Sequence, residues 1–156
     1  MRKFVYIFAL LAFAGTLLAA DQFAGTWKLD PSQSTGDAIP RDETLVIMDD
    51  GNNVHVTVTG ADADGTPIAI TYVVPVAGGD GQVSQGPYDA VSDKQVDANT
   101  RDITYGKSGK RSKHHHVVSK DGKTMKVTNT GTDAQGKTVN NTEVYHKVDD
   151  TQALHK

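Results

Sequence analysis

The chain has 156 residues, 16 basic against 19 acidic side chains, and a formal net charge of −3. It contains no cysteine, which excludes disulfides and thiol chemistry and leaves the fold to be held by its core alone. The acidic balance argues against nucleic acid as a partner.

Arg2-Lys3 supply a positive start, Phe4 to Leu18 form an apolar run, and Ala19-Ala20 end it with small residues, which reads as a secretory signal over residues 1–20 with cleavage before Asp21. A membrane anchor is the alternative. The run is short for a span of about 20 residues and continues directly into polar sequence, so no stable anchor is expected. A secreted or periplasmic location follows. Residues 1–20 hold two of the basic residues and none of the acidic ones, so the remainder carries a net charge of −5. Residues 21–156 read as one domain, long enough to wrap a single ligand-sized site.

Past the leader, apolar residues alternate with a period near two and helical periodicity is nowhere sustained. Strands are expected near 23–29, 43–48, 53–59, 67–74, 89–96, 100–106, 112–119, 124–130 and 138–147. The first holds the only tryptophan, in Gly25-Thr26-Trp27, where a bulky indole suits the plug at one end of a small barrel. Asp50-Gly51, Asp64-Gly65, Asp97-Ala98-Asn99, Ser108-Gly109, Asp121-Gly122 and Gln135-Gly136 mark the turns between strands. Two longer stretches, Pro31 to Pro40 and Pro75 to Pro87, read as mobile loops able to cover a barrel mouth. The fold class is therefore all-β, an antiparallel up-and-down meander closed as a barrel of about 8–10 strands.

Val56 to Gly65 align with Val127 to Gly136 at an offset of 71 residues. Shared hairpin grammar and duplication of a three-strand unit both explain this. A two-residue turn at Asp50-Gly51 sets Ile47 opposite Val54 and Leu45 opposite Val56, giving a buried apolar face that ends at Glu43. The same construction in the second half pairs Val118 with Met125, His116 with Val127 and His114 with Asn129. It then sets Asn129 opposite Asn141, Val127 opposite Glu143 and Met125 opposite Tyr145. The face that is apolar in the first half thus carries His114, His116, Asn129, Asn141 and Glu143 in the second, which predicts a polar patch on one wall of the lumen. A bulge shifting the register by one would turn the same side chains to solvent.

His114 and His116 share a strand face, and Glu143 would complete three metal ligands, but three adjacent histidines after Lys110-Arg111-Ser112-Lys113 equally describe a solvated basic edge. No metal and no cofactor is expected. Asp62-Ala63-Asp64-Gly65 and Gly78-Gly79-Asp80-Gly81 lack the further ligands of a calcium loop. No Gly-x-Ser-x-Gly elbow occurs, and the aspartates sit mostly in turns, so an enzyme is not expected.

Phe23-Ala24-Gly25-Thr26-Trp27-Lys28-Leu29 resembles the opening strand of the calycins, the lipocalin and fatty-acid-binding superfamily, whose Gly-x-Trp signature closes one barrel end. Thr142 to Val148 resembles the closing strand of intracellular fatty-acid-binding proteins. Over nearly all of residues 21–156 the chain resembles small secreted bacterial lipocalin-like proteins. The shared phrases are Gly25 to Leu29, Asp97 to Thr100, Val118 to Met125 and Val144-Tyr145. The resemblance implies a lipocalin-like barrel with Trp27 and Tyr145 in family positions. Two departures stand against a fatty-acid cargo: Glu143 occupies the place of the Arg that holds a lipid carboxylate, and Pro31 to Pro40 is too short and too rich in breakers for a helical lid.

The expected function is binding of a small, largely apolar, uncharged or cationic ligand in the lumen. Trp27 would close one end, Val54, Val56, Ile70, Tyr72, Val127 and Tyr145 would line the wall, and His116 with Glu143 would supply polarity, beside His114, Asn129 and Asn141. The competing reading is a periplasmic interaction or inhibitor module whose barrel is filled by its own side chains.

Overall fold

The structure is a computed structural model and describes residues 21–148. The leader expected at residues 1–20 lies outside the described residues, as do residues 149–156. In chain order the strands are β1 (Gly25–Leu29), β2 (Thr35–Gly36), β3 (Asp42–Asp49), β4 (Asn53–Ala61), β5 (Pro67–Pro75), β6 (Gly79–Asp80), β7 (Gln82–Gln85), β8 (Ala90–Asp97), β9 (Thr100–Lys107), β10 (Lys110–Val118), β11 (Thr124–Thr132) and β12 (Thr138–Lys147). No helix forms among the described residues. Alternation produces this outcome directly: Val54, Val56 and Val58 of β4 are buried, while the residues between them are less so.

The strands form one antiparallel sheet in the order β6-β8-β9-β10-β11-β12-β1-β3-β4-β5-β7. Its two edges are successive pieces of one segment, residues 79–85, which pairs first with β8 and then with β5. Between the two pieces, the Gly81 amide donates to the Val91 carbonyl at 2.9 Å. The sheet is thereby curled into a nearly closed barrel with little edge left to pair elsewhere. The stretch expected as a mobile loop between Pro75 and Pro87 is thus in part the closing strand. Its glycines and polar residues hide the alternation, and a strand that changes partner halfway gives no two-residue signature on either side.

Every strand expected from alternation is present within two residues at each end. The register around Asp50-Gly51 differs from the expected one. Ile47 pairs with Val56 and Leu45 with Val58, because the turn takes in Asp50 to Asn53, with the Asp50 carboxylate accepting from the amides of Asn52 and Asn53. The slip is by two residues, so every inward side chain stays inward. The pairings expected in the second half hold throughout: His116 opposite Val127, His114 opposite Asn129, Asn129 opposite Asn141, Val127 opposite Glu143. The two halves keep matching registers, with Val56 to Tyr72 and Val58 to Ile70 standing where Val127 to Glu143 and Asn129 to Asn141 stand in the other.

One end of the barrel is packed solid. Trp27 is fully buried, its indole Nε1 donates to the Phe23 carbonyl at 2.7 Å, and the Lys147 ammonium lies 4.9 Å from its ring centre. The segment before β1 crosses the floor to β9. There Phe23 packs under the Arg101 guanidinium, which holds Asp93 at 2.6 Å and lies 3.7 Å from Asp21. Val54, Val74, Val118 and Met125 complete this layer.

A Cβ on Gly81 would run into the Val73 carbonyl and lie 2.5 Å from Val74 Cγ1. Gly81→Ala is therefore expected to open the seam and destabilise the barrel by about 1–3 kcal/mol, the usual range for overpacking. Urea denaturation checks this, and an unchanged midpoint would show that the seam does not hold the barrel closed.

Candidate functional site

Above the packed layer the barrel opens into a cavity of about 590 Å³. Strand parity decides what faces it. β3, β4 and β5 contribute Leu45, Val58, Ile68 and Ile70, an apolar wall, with Glu43 at its end. Opposite, β10, β11 and β12 contribute Ser112, His114, His116, Asn129, Asn141, Glu143 and Tyr145. The strap from Pro31 to Pro40 brings Asp37, Ala38 and Pro40 to the mouth, and Tyr88 reaches in before β8. The strap is pinned rather than free: β2 pairs with β12, and the Asn141 amide donates to the Ala38 carbonyl at 2.9 Å and accepts from the Asp37 amide at 3.2 Å.

Of the side chains expected around a ligand, Ile70, His114, His116, Val127, Asn129, Asn141, Glu143 and Tyr145 line this cavity. Trp27, Val54, Val56 and Tyr72 do not. They face inward as expected but lie in or against the packed half, where only a void of about 20 Å³ remains. Phe23 and Arg101 fill that half from below without reaching the cavity, and Leu45 and His116 border both the void and the cavity. The histidine run is split by parity: His114 and His116 face inward, while His115 faces outward and bonds Asp102 at 2.6 Å. Among the described residues, no three His, Cys, Asp or Glu side chains are grouped to hold a metal ion.

The centre of the polar wall is Tyr145. Its hydroxyl lies 2.7 Å from Glu43 Oε1 and 2.9 Å from Glu143 Oε2. A phenol has one proton to donate, so two ionised carboxylates cannot both be satisfied by it. Burial and the neighbouring Glu143 push the Glu43 carboxyl up to about 8. Glu43 therefore stays protonated at neutral pH and donates to the phenol oxygen, which donates on to Glu143. Burial raises the Glu143 carboxyl too, against the hydrogen bonds of Tyr145 and Asn129 that favour its charge.

Burial likewise holds His114 down to about 4 and His116 to about 3, so both rings are neutral. His114 stands edge-on to Tyr105 at 4.8 Å, and Tyr105 stacks on Tyr88 at 4.7 Å. His116 does not pair with Glu143; its Nε2 has no partner, and neither has Asn129 Oδ1, although both atoms are buried. Both atoms are shielded from water, so each is a polar group left unpaired within the wall itself, at a cost the rest of the fold carries.

Glu43, Tyr105, Tyr88 and Ser112 belong to the site but were not among the expected ligand-lining residues. Glu43 and Tyr105 were within reach of the parity argument. Glu43 shares the face of Leu45 and Ile47, and Tyr105 that of Arg101 and Ile103, just as Asp93 shares that of Val91. Tyr88 lies outside any strand, and only its stacking on Tyr105 identifies it.

No protein-family model and no curated relative matches the chain. Among solved structures, a Schistosoma mansoni fatty acid binding protein in complex with arachidonic acid is similar, with 17% identity over 82% of this chain and 97% of that one and a TM-score of 0.52. An Echinococcus granulosus fatty-acid-binding protein is 12% identical over 82% of this chain and 98% of that one, with a TM-score of 0.48. The likeness to the first of these shows a shared β-barrel fold.

The buried titrating groups make stability depend on pH with a definite sign. Glu43 keeps its proton to about pH 8 when folded but has an ordinary value of 4.5, so its contribution is lost as pH rises through that window. His114 and His116 act oppositely, destabilising the fold as pH falls below their ordinary value of 6.5. From pH 6.5 to 8 the carboxyl slope stands without the histidine one, and unfolding free energy should fall with rising pH. Glu43→Gln, which keeps the shape of the protonated acid, should flatten that fall. Chemical denaturation of both proteins across this range checks it, and a wild-type stability that stays level would refute the assignment.

Proposed function

We propose that the protein binds a small, largely apolar molecule with a polar head in the open half of its barrel, without transforming it. The observation that carries this is the cavity itself, with Leu45, Val58, Ile68 and Ile70 on one wall and Glu43, Glu143 and Tyr145 forming a polar cluster beside it. A barrel filled by its own side chains, as an interaction module would have, describes the lower half only. The fold-level likeness to a fatty acid binding protein solved with arachidonic acid supports the same reading. The division of labour follows from magnitudes. Each methylene buried against Leu45, Val58 and Ile70 contributes about 0.8 kcal/mol, so the tail supplies affinity while the polar wall selects the head. We further propose that the protein works outside the cytoplasm, on the strength of the signal-like residues 1–20, and that its likeness to secreted bacterial lipocalin-like proteins reflects a shared setting.

Native mass spectrometry of protein purified from its own host should show a co-purified small molecule. Val58→Trp, which places an indole across the cavity, should remove that mass while leaving the circular dichroism spectrum unchanged. A bare mass for the wild type, together with no binding of the neutral apolar dye Nile red, would overturn the reading.

A further inference from the structure

The polar wall is one-sided in its hydrogen-bonding character. Glu43 and Glu143 present carboxyl groups. His114 and His116 add neutral rings and no charge. The lining holds one basic side chain, Lys137, at the turn between β11 and β12. Arg101 lies beneath the floor and is held by Asp93 at 2.6 Å. Around the mouth stand four further carboxylates, Asp37, Asp62, Asp64 and Asp133. A lumen so built repels an anionic head group and offers acceptors to a head that only donates.

Building on the binding function proposed above, we propose that the cavity selects an amphiphile with an ammonium head, seated between Glu43 and Glu143, its apolar body lying along Leu45, Val58 and Ile70. The geometry is specific to that chemistry. The Tyr145 hydroxyl spans the two carboxyls at 2.7 and 2.9 Å through one oxygen of each, and both side chains line the cavity. An ammonium donates hydrogen bonds and accepts none, which matches the carboxyl oxygens that Glu43 and Glu143 bring together at Tyr145.

Seating a cation there removes the need for the proton that Glu43 holds. That proton leaves to bulk solvent, the phenol keeps its own, and the complex carries two carboxylates with one ammonium between them. The other groups facing this point do not compete for the proton. His114 and His116 on β10 are neutral, Tyr105 on β9 and Tyr145 on β12 keep their phenol protons, and Tyr88 stacks on Tyr105. Asp37, Asp62, Asp64, Asp133 and Lys137 stand at the rim.

The test is isothermal titration of the full chain with decylamine, decanol and decanoate below their micelle concentrations at neutral pH, in phosphate and in Tris. Decylamine should bind at least about tenfold more tightly than decanol, as a charge-assisted hydrogen bond gives, and decanoate most weakly. Its heat should differ between the two buffers by the amount that release of about one proton produces. Glu143→Gln and Glu43→Gln should each bring decylamine close to decanol, with far-ultraviolet circular dichroism reporting that the variants are folded. Equal binding of decylamine and decanol, or a preference for decanoate, would overturn the ammonium assignment and leave the binding function standing. Failure of all three to bind would overturn both.

Discussion

The enclosed lumen depends on one backbone contact. Gly81 sits where the closing segment leaves β8 for β5, its amide bonded to the Val91 carbonyl and the space a Cβ would need taken by the Val73 carbonyl. Only a residue without a side chain fits between two strands that are each already committed to another neighbour. Once the seam is shut, strand parity stops meaning core against solvent and starts meaning lumen against solvent. The inward half of every strand then has to be filled by neighbouring side chains or left as cavity.

The protein does both, and the segment ahead of β1 helps to fill the lower half, below the level of Leu45 and His116. Phe23 and Asp21 reach across to β9 and, with Arg101 and Asp93, lay a floor whose charges compensate one another. An isolated buried guanidinium would be prohibitive, whereas one shared between two carboxylates and an aromatic face is tolerable. The floor keeps the basic group out of the cavity above. That cavity is left with acids, neutral imidazoles and amides along one wall and hydrocarbon along the other.

Most of this was legible because a period of two is forgiving. The register slip at Asp50 moved pairings by two residues and changed no side chain's face, so Leu45, Ile47, Val56 and Val58 were placed inward for a partly wrong reason. In the second half the turn lengths were read correctly, and His114, His116, Asn129 and Glu143 followed. What parity could not convey was depth. Val54 and Val58 lie on the same face of the same strand, yet one borders the small void beside Phe23 and the other the cavity. Nor could it show that Glu43 and Glu143, one hundred residues apart in the chain, meet at a single phenol oxygen. The closing segment was illegible for a third reason: a strand with two successive partners presents no single face to be patterned.

The burial of Trp27 has a consequence for spectroscopy. As the only tryptophan, it dominates the intrinsic emission, and it is fully buried in the filled half with its Nε1 bonded to Phe23 and an ammonium over its ring. The fluorophore is thus a gauge of whether the closed end is intact, isolated by the floor from whatever enters above. A titration that leaves its emission unmoved is compatible with full occupancy, and one that shifts it is reporting a barrel that has begun to come apart.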